Sequence, residues 1–341
     1  MKILLTHEIF PPEKFGGGER ILWEFVSRLK NKGFDIRVLT TGNPKIKEHN
    51  GVPTFRIPVN RFLMNLSLPY VIKHARDADV IQTATYNACF PSYLSAKILK
   101  KPIVNFVLGL HKNVWFEMRG PVLGTISKWG ERLQLFRNYD KVIFFSEISR
   151  KKALDAGMPK EITEVIPPGV DHKSFYCGKK ENYVLFVGRL AKQKGIEYLI
   201  EAAKESPNVK IKLAGDGELR SYLESIAPQN VEFLGHKTGK PLYDLYSKAP
   251  IFCLPSVSDD FGLVHAEAMA SGCAIISTIP LNYSGIRIEA KNKESIIDAI
   301  KHLNKNPKLV KKMGKENLKR SKEYDWDKFT KRMIKIYGEL V

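Results

Sequence analysis

The chain has 341 residues, too long for one ordinary domain and suited to two of roughly 150 to 180 residues, each with its own core. With 43% hydrophobic and 27% charged residues it has the composition of a soluble globular protein, and no apolar run approaches the ~18 residues that a membrane-spanning helix needs. The net charge of +19 gives a positive field that attracts nucleic acid, anionic lipid head groups or phosphorylated small molecules, but the lysines are spread along the chain and form no basic arm.

The first residues, MKILLTHEIFPPE, lack the apolar core and cleavage site of a signal peptide and read as an opening strand, so a cytoplasmic protein is expected. After KILLT comes a glycine loop and then a helix with Ile21, Leu22, Phe25, Val26 and Leu29 on its apolar side. Gly16, Gly17 and Gly18 let backbone approach a ligand, and the amides at the helix start favour an anion such as a diphosphate; a tight turn is the plainer reading. The loop is neither a P-loop nor a G-x-G-x-x-G fingerprint.

Further strands are expected at Ile36–Thr40, Val80–Thr83, Ile103–Val107 and Val142–Phe145. Two segments between them mix apolar and basic residues. One is NRFLMNLSLPYVIKHAR; the other, ISKWGERLQLFR, places Ile126, Trp129, Leu133 and Phe136 on one stripe beside Lys128, Arg132 and Arg137. Such helices can lie in a bilayer interface, but apolar stripes usually pack into a core, and core packing is the expectation here.

The stretch IPPGVDHKSFYCGKKEN breaks both periodicities and marks the domain junction, dividing residues 1–168 from 169–324. Strands then recur at Val184–Val187, Lys210–Ala214, Val231–Leu234, Ile251–Leu254 and Ala274–Ser277, alternating with helices as in a parallel α/β sheet. The last helix carries Trp326, Phe329, Met333, Ile334 and Tyr337 on one face, so 325–341 is expected to pack back on the first domain.

In the second half, FVGRLAKQKGIEYLIEA puts Arg189 just past a strand and Lys194 just before a helix, at the sheet edge where open α/β folds bind ligands. In LPSVSDDFGLVHAEAMASG, Asp259 in a loop and Glu267 on a helix stand eight residues apart. Ionised carboxylates there can hold sugar and ribose hydroxyls, while Asp259 or Asp260 can alternatively just cap the helix. Cys89, Cys177, Cys253 and Cys273 show no metal-like spacing and read as reduced thiols.

Taken in order, PPEKFGGGER, VIPPGVDHKSF, FVGRLAKQKGIEYLIEA, LAGDGELR, VEFLGH, LPSVSDDFGLVHAEAMASG and the YDWDKF helix resemble the retaining GT-B glycosyltransferases of glycosyltransferase family four. The resemblance implies two Rossmann-like domains with parallel sheets facing across a cleft, an acceptor side in the first and a nucleotide-sugar side in the second. It implies no cofactor and no catalytic metal. Arg189 and Lys194 would hold the diphosphate, Glu267 the ribose and Asp259 the transferred sugar. The amides of Gly262 and Leu263, with Gly17 and Gly18, would complete a phosphate cradle, and Gly215 and the stretch ending at His236 would lie near the base.

The chain departs from that pattern in three places. Asp259 stands where the family has glutamate. Leu108 and Gly109 replace a His-Gly pair, leaving His111, with His7 as a second candidate, to reach the sugar. The segment after Ser277 is short. The resemblance implies a UDP-, GDP- or ADP-sugar as donor and an unidentified glycan or lipid-linked precursor as acceptor, and an anionic membrane surface, with a peripheral place at its inner face, is a candidate partner. No specific nucleic acid is expected, because no aromatic-basic repeat, helix-turn-helix or zinc spacing accompanies the charge. An impaired nucleotide-sugar-binding subunit and a basic nucleic-acid-binding protein are the rival readings.

Overall fold

The computed structural model describes every residue except Lys14, Phe15, Asn113, Ser258 and Asp260, together with all side chains outside these and residues 117–119. The chain forms two compact units, Met1–Pro168 with Trp326–Val341, and Gly169–Asp325.

The first unit opens with β1 (Lys2–Thr6), α1 (Gly17–Asn31), β2 (Asp35–Thr41), β3 (Glu48–His49) and β4 (Val52–Ile57). After a 3-10 turn over Arg61–Leu66 come α2 (Leu68–Ala75), β5 (Val80–Ala84), α3 (Cys89–Leu99), β6 (Ile103–Val107) and α4 (Val114–Leu135). It closes with β7 (Lys141–Phe144), α5 (Glu147–Leu154) and β8 (Thr163–Val165). Among the described residues the strand order is β3-β4-β2-β1-β5-β6-β7-β8, parallel apart from the β3–β4 pair. Every residue of β5 and β6 is buried, as expected for strands covered by helices on both faces.

The second unit runs β9 (Val184–Val187), α6 (Ile196–Lys204), β10 (Ile211–Ala214), α7 (Arg220–Ile226), β11 (Val231–Gly235), α8 (Gly239–Lys248) and β12 (Ile251–Leu254). It continues through α9 (Leu263–Ala270), β13 (Ala274–Ser277), β14 (Gly285–Arg287), α10 (Lys293–Lys305) and α11 (Pro307–Arg320). Its sheet is parallel, in the order β11-β10-β9-β12-β13-β14.

The final helix, α12 (Trp326–Leu340), belongs to the first unit. Phe329 sits among Phe25, Phe106 and Phe145 with ring centroids 5.4 to 6.2 Å apart, and Tyr337 donates a 2.6 Å hydrogen bond to the buried Gln82 amide oxygen. The buried face carries Trp326, Phe329, Met333 and Tyr337 as expected and adds Ile336, while Ile334 is only half-buried.

Two expectations fail. Ile126, Trp129 and Leu133 of α4 do not enter the core; they are 63%, 62% and 61% exposed, and only Phe136 packs inward. In addition, Asp259 is not the N-cap residue of α9. The N-cap is Gly262, with no side-chain cap bond, and Asp260 lies outside the described residues.

Candidate active site

In an open parallel sheet, ligands bind beyond the strand carboxyl ends where the strand order reverses. In the second unit that point lies between β9 and β12, and the loops leaving these strands are tied together by a 2.9 Å bond from Val257 N to Gln193 O. Gly195, with φ of +63°, closes the turn before α6, and a Cβ there would fall 2.2 Å from the Pro255 carbonyl. Glycine is therefore required for the two loops to meet.

The junction brings Lys194 onto Asp259, 65 residues apart in sequence: the ammonium and carboxylate form a close, partly buried ion pair. Arg189 reaches from the same loop as Lys194, is largely exposed, and lies 4.0 Å from Glu218. Gly262 caps the start of α9 three residues after Asp259, so the positive end of that helix lies at the same edge.

One turn into α9, Glu267 is buried and accepts a 2.9 Å bond from the Tyr246 hydroxyl. The carboxylate is thus held from beneath by α8. Gly215, with φ of +156°, follows β10, and a Cβ there would meet the Gly188 carbonyl at 1.8 Å. Close packing of the β9 and β10 loops accounts for that glycine. His236 is exposed just past β11, and its ring has no described contact with the Lys194–Asp259 pair.

Sequence reading passed over His265. It is buried beneath the α9 start, where a Cβ on Gly262 would come within 2.6 Å of its Nδ1. Ser277 Oγ donates to Leu254 O at 3.2 Å, so it accepts from His265 Nε2–H at 2.8 Å, which sets the tautomer and leaves Nδ1 as a buried acceptor without a hydrogen bond. Burial above all lowers its pKa to about 4.

The unfolded chain therefore takes up this proton first, as pH falls below the ordinary value of 6.5. Stability from this group is full above pH 6.5 and is lost down to pH about 4, about 3 kcal/mol in all. His265→Gln, which can still donate to Ser277, is expected to flatten the fall in melting temperature between pH 6.5 and 4; an unchanged slope would refute this origin.

The first unit holds His7, Gly17, Gly18 and His111. His7 follows β1, is wholly buried, and lies 3.6 Å from Glu8 and 3.8 Å from Glu19. Burial opposes its charge, but the two carboxylates outweigh burial and raise its pKa. Burial likewise acts to raise Glu19, yet His7 and the Gly16 amide bring it down to about 2. The start of α1 thus already carries a carboxylate. Gly17 faces open space, whereas a Cβ on Gly18 would come within 3.1 Å of Leu108.

His111 is half-buried in the loop after β6, its ring 4.9 Å from Trp115 and 6.1 Å from Tyr86. That loop is fastened by Glu131, a buried α4 carboxylate that sequence reading also missed. Glu131 accepts from the amides of His111 and Lys112, both at 2.8 Å, and shares the Tyr86 hydroxyl proton, at 3.1 Å, with the nearer Gly109 carbonyl at 2.6 Å.

Residues 15–174 match the family model Glycosyltransferase Family 4, and residues 171–320 match Glycosyl transferases group 1. An uncharacterised glycosyltransferase of Methanocaldococcus jannaschii is 27% identical over 100% of this chain and 99% of its own length. Sucrose-phosphate synthase from Thermosynechococcus elongatus has a TM-score of 0.85 at 18% identity, covering 100% of this chain and 99% of the other. HepE of Anabaena, solved with UDP and glucose, has a TM-score of 0.82 at 19% identity over 100% of both chains. The chain belongs to glycosyltransferase family four, the group 1 glycosyl transferases, and has the GT-B fold. It is a glycosyltransferase.

Proposed function

We propose that the chain transfers a hexosyl group from a nucleoside-diphosphate sugar to an acceptor hydroxyl, with retention of anomeric configuration and without a bound metal. The observation that carries this reading is the meeting of Lys194 and Asp259 at the strand-order reversal, beside the N-terminus of α9. Lys194, Arg189 and the amides of Gly262 and Leu263 supply the positive charge that a departing diphosphate needs, the role a metal would otherwise play. Glu267 takes the ribose hydroxyls and Asp259 the sugar hydroxyls, while Gly215 and His236 border the base. Complexes of HepE with UDP and with UDP-glucose support a nucleotide-sugar donor.

In the reaction the bond from the anomeric carbon to the phosphate oxygen breaks, and the acceptor oxygen bonds to the same face. The acceptor proton passes to the leaving phosphate oxygen, so no protein nucleophile is required. The acceptor on this reading is a lipid-linked or cell-surface glycan precursor, reached peripherally at the inner face of a membrane.

A thermal-shift series with UDP, GDP, ADP and their sugar conjugates tests the donor, because a ligand bound only by the native state raises the melting temperature. One nucleotide family is expected to stabilise the protein equally with and without EDTA, and Arg189→Ala and Lys194→Ala to lose the shift. Stabilisation by nucleic acid alone would overturn the proposal, and a donor shift without transfer to any acceptor would mark an impaired binding subunit.

A further inference from the structure

Helix α4 is built inside out. Gly120, with φ of +73° and ψ of 177°, breaks it before Pro121, and the segment that follows turns its small and polar residues inward. Gly124 and Glu131 are buried; a Cβ on Gly124 would lie 2.8 Å from the backbone of Trp115 and Phe116. Val122, Ile126, Trp129 and Leu133, at spacings of four, three and four, form one stripe on the opposite side, and each is 61% to 71% exposed. Leu123 beside them is 59% exposed.

Large apolar side chains held in water along a helix are costly, at ~25 cal/mol per Å2 of surface that could be buried, and mark an interaction surface. Lys128 and Arg132 flank the stripe along one side. Nearby, the 3-10 turn and α2 expose Phe62, Leu63, Leu66 and Tyr70 beside Arg61. The two segments are joined through neighbouring residues: Asn65 donates to Asn87 Oδ1 at 3.1 Å, and Tyr86 donates to Glu131 on α4.

We propose that this surface docks on an anionic lipid bilayer. An apolar stripe with basic flanks suits a helix lying in the interface, its apolar residues about 5–10 Å deep and its cations among the head groups. Charge complementarity selects this occupant. A second copy of a chain with net charge +19 would bring lysines and arginines against their like, whereas anionic head groups neutralise them. A lipid-borne acceptor would then arrive on the outer side of the helix whose inner side holds the His111 loop. That last step rests on the transferase reading; docking itself does not.

The test is co-sedimentation of the full chain with phosphatidylcholine vesicles containing or lacking 30% phosphatidylglycerol, with a nucleotide thermal shift measured on the same samples. Binding to anionic vesicles at least tenfold stronger than to neutral ones, weakened by salt, is expected. The double variant Ile126→Glu, Trp129→Glu changes only exposed positions and should lose at least tenfold of that binding with its nucleotide shift intact.

Absence of binding by the unaltered chain would overturn the proposal. So would undiminished binding by the variant, which would move the contact to another basic surface such as Lys308, Lys311, Lys312, Lys315 and Lys319 of α11. A dimer that the double variant splits into monomers would assign the face to self-association instead. Vesicle binding without any nucleotide shift would leave docking standing and sink the donor reading.

Discussion

Asp259→Asn is expected to move donor affinity and turnover in opposite directions. The Asp259 carboxylate occupies Lys194, the cation assigned to the donor diphosphate. A diphosphate must displace it and also approach a negative group. Removing that charge frees the ammonium and lifts the repulsion, so free nucleoside diphosphate should bind about three- to tenfold tighter, the worth of a partly buried ion pair of about 1 kcal/mol.

Transfer should nevertheless fall about 100-fold, because an amide holds the sugar hydroxyls less strongly as charge develops. Lys194→Ala shows the contrast: it removes a charge-assisted contact of about 1.5–3 kcal/mol and should weaken binding by more than about tenfold. Calorimetry with the nucleoside diphosphate and a transfer assay separate the effects. Weaker nucleotide binding in Asp259→Asn would mean that the carboxylate positions Lys194 for the phosphates and does not compete with them.

That pairing was invisible in the sequence, although each partner was singled out. The residues are 65 positions apart, and their contact depends on two loops drawn together by Val257 N, Gln193 O and a glycine that clears the Pro255 carbonyl. Local pattern carries no such information. The strands Lys2–Thr6, Ile103–Val107, Val184–Val187, Ile251–Leu254 and Ala274–Ser277, by contrast, fall where their β-branched runs place them.

The strand β4 escaped because VPTFRI contains a proline and an arginine. Pro53 lies in the edge pair with β3, and the buried Arg56 guanidinium donates from Nη1 to the Phe10 carbonyl and from Nη2 to the Pro11 carbonyl, while its Nε has no hydrogen-bond partner among the described residues. The short β14, GIR, offers too few residues for any period to register. The stripe on α4 failed for a different reason: helical periodicity is the same whether the apolar side meets a core or a solvent-facing partner. What decides is the opposite side, and there Gly124 and Glu131 gave the clue, since the inward positions had to be small or anchored.

The second large effect is expected at Glu131. One buried carboxylate accepts two backbone amides and a phenol, so it bears on the positions of the His111 loop, α4 and Tyr86 together. In Glu131→Gln one amide N–H2 group faces donors it cannot accept from, at a cost of about 1–3 kcal/mol for the buried group left unmet. The loop should shift. Because a small displacement of a reacting group is expensive, kcat should drop about 10- to 100-fold if His111 reaches the transferred sugar.

Nucleotide binding by the second unit should not change, which separates this effect from damage to the donor site. Stability loss alone would lower the amount of folded enzyme while leaving kcat per folded molecule intact. The decisive comparison is a double-mutant cycle: His111→Ala should cost little further in the Glu131→Gln background, since both remove the same placed imidazole. Fully additive losses would show that Glu131 acts on turnover by a route that bypasses His111, and would return the histidine to a structural role.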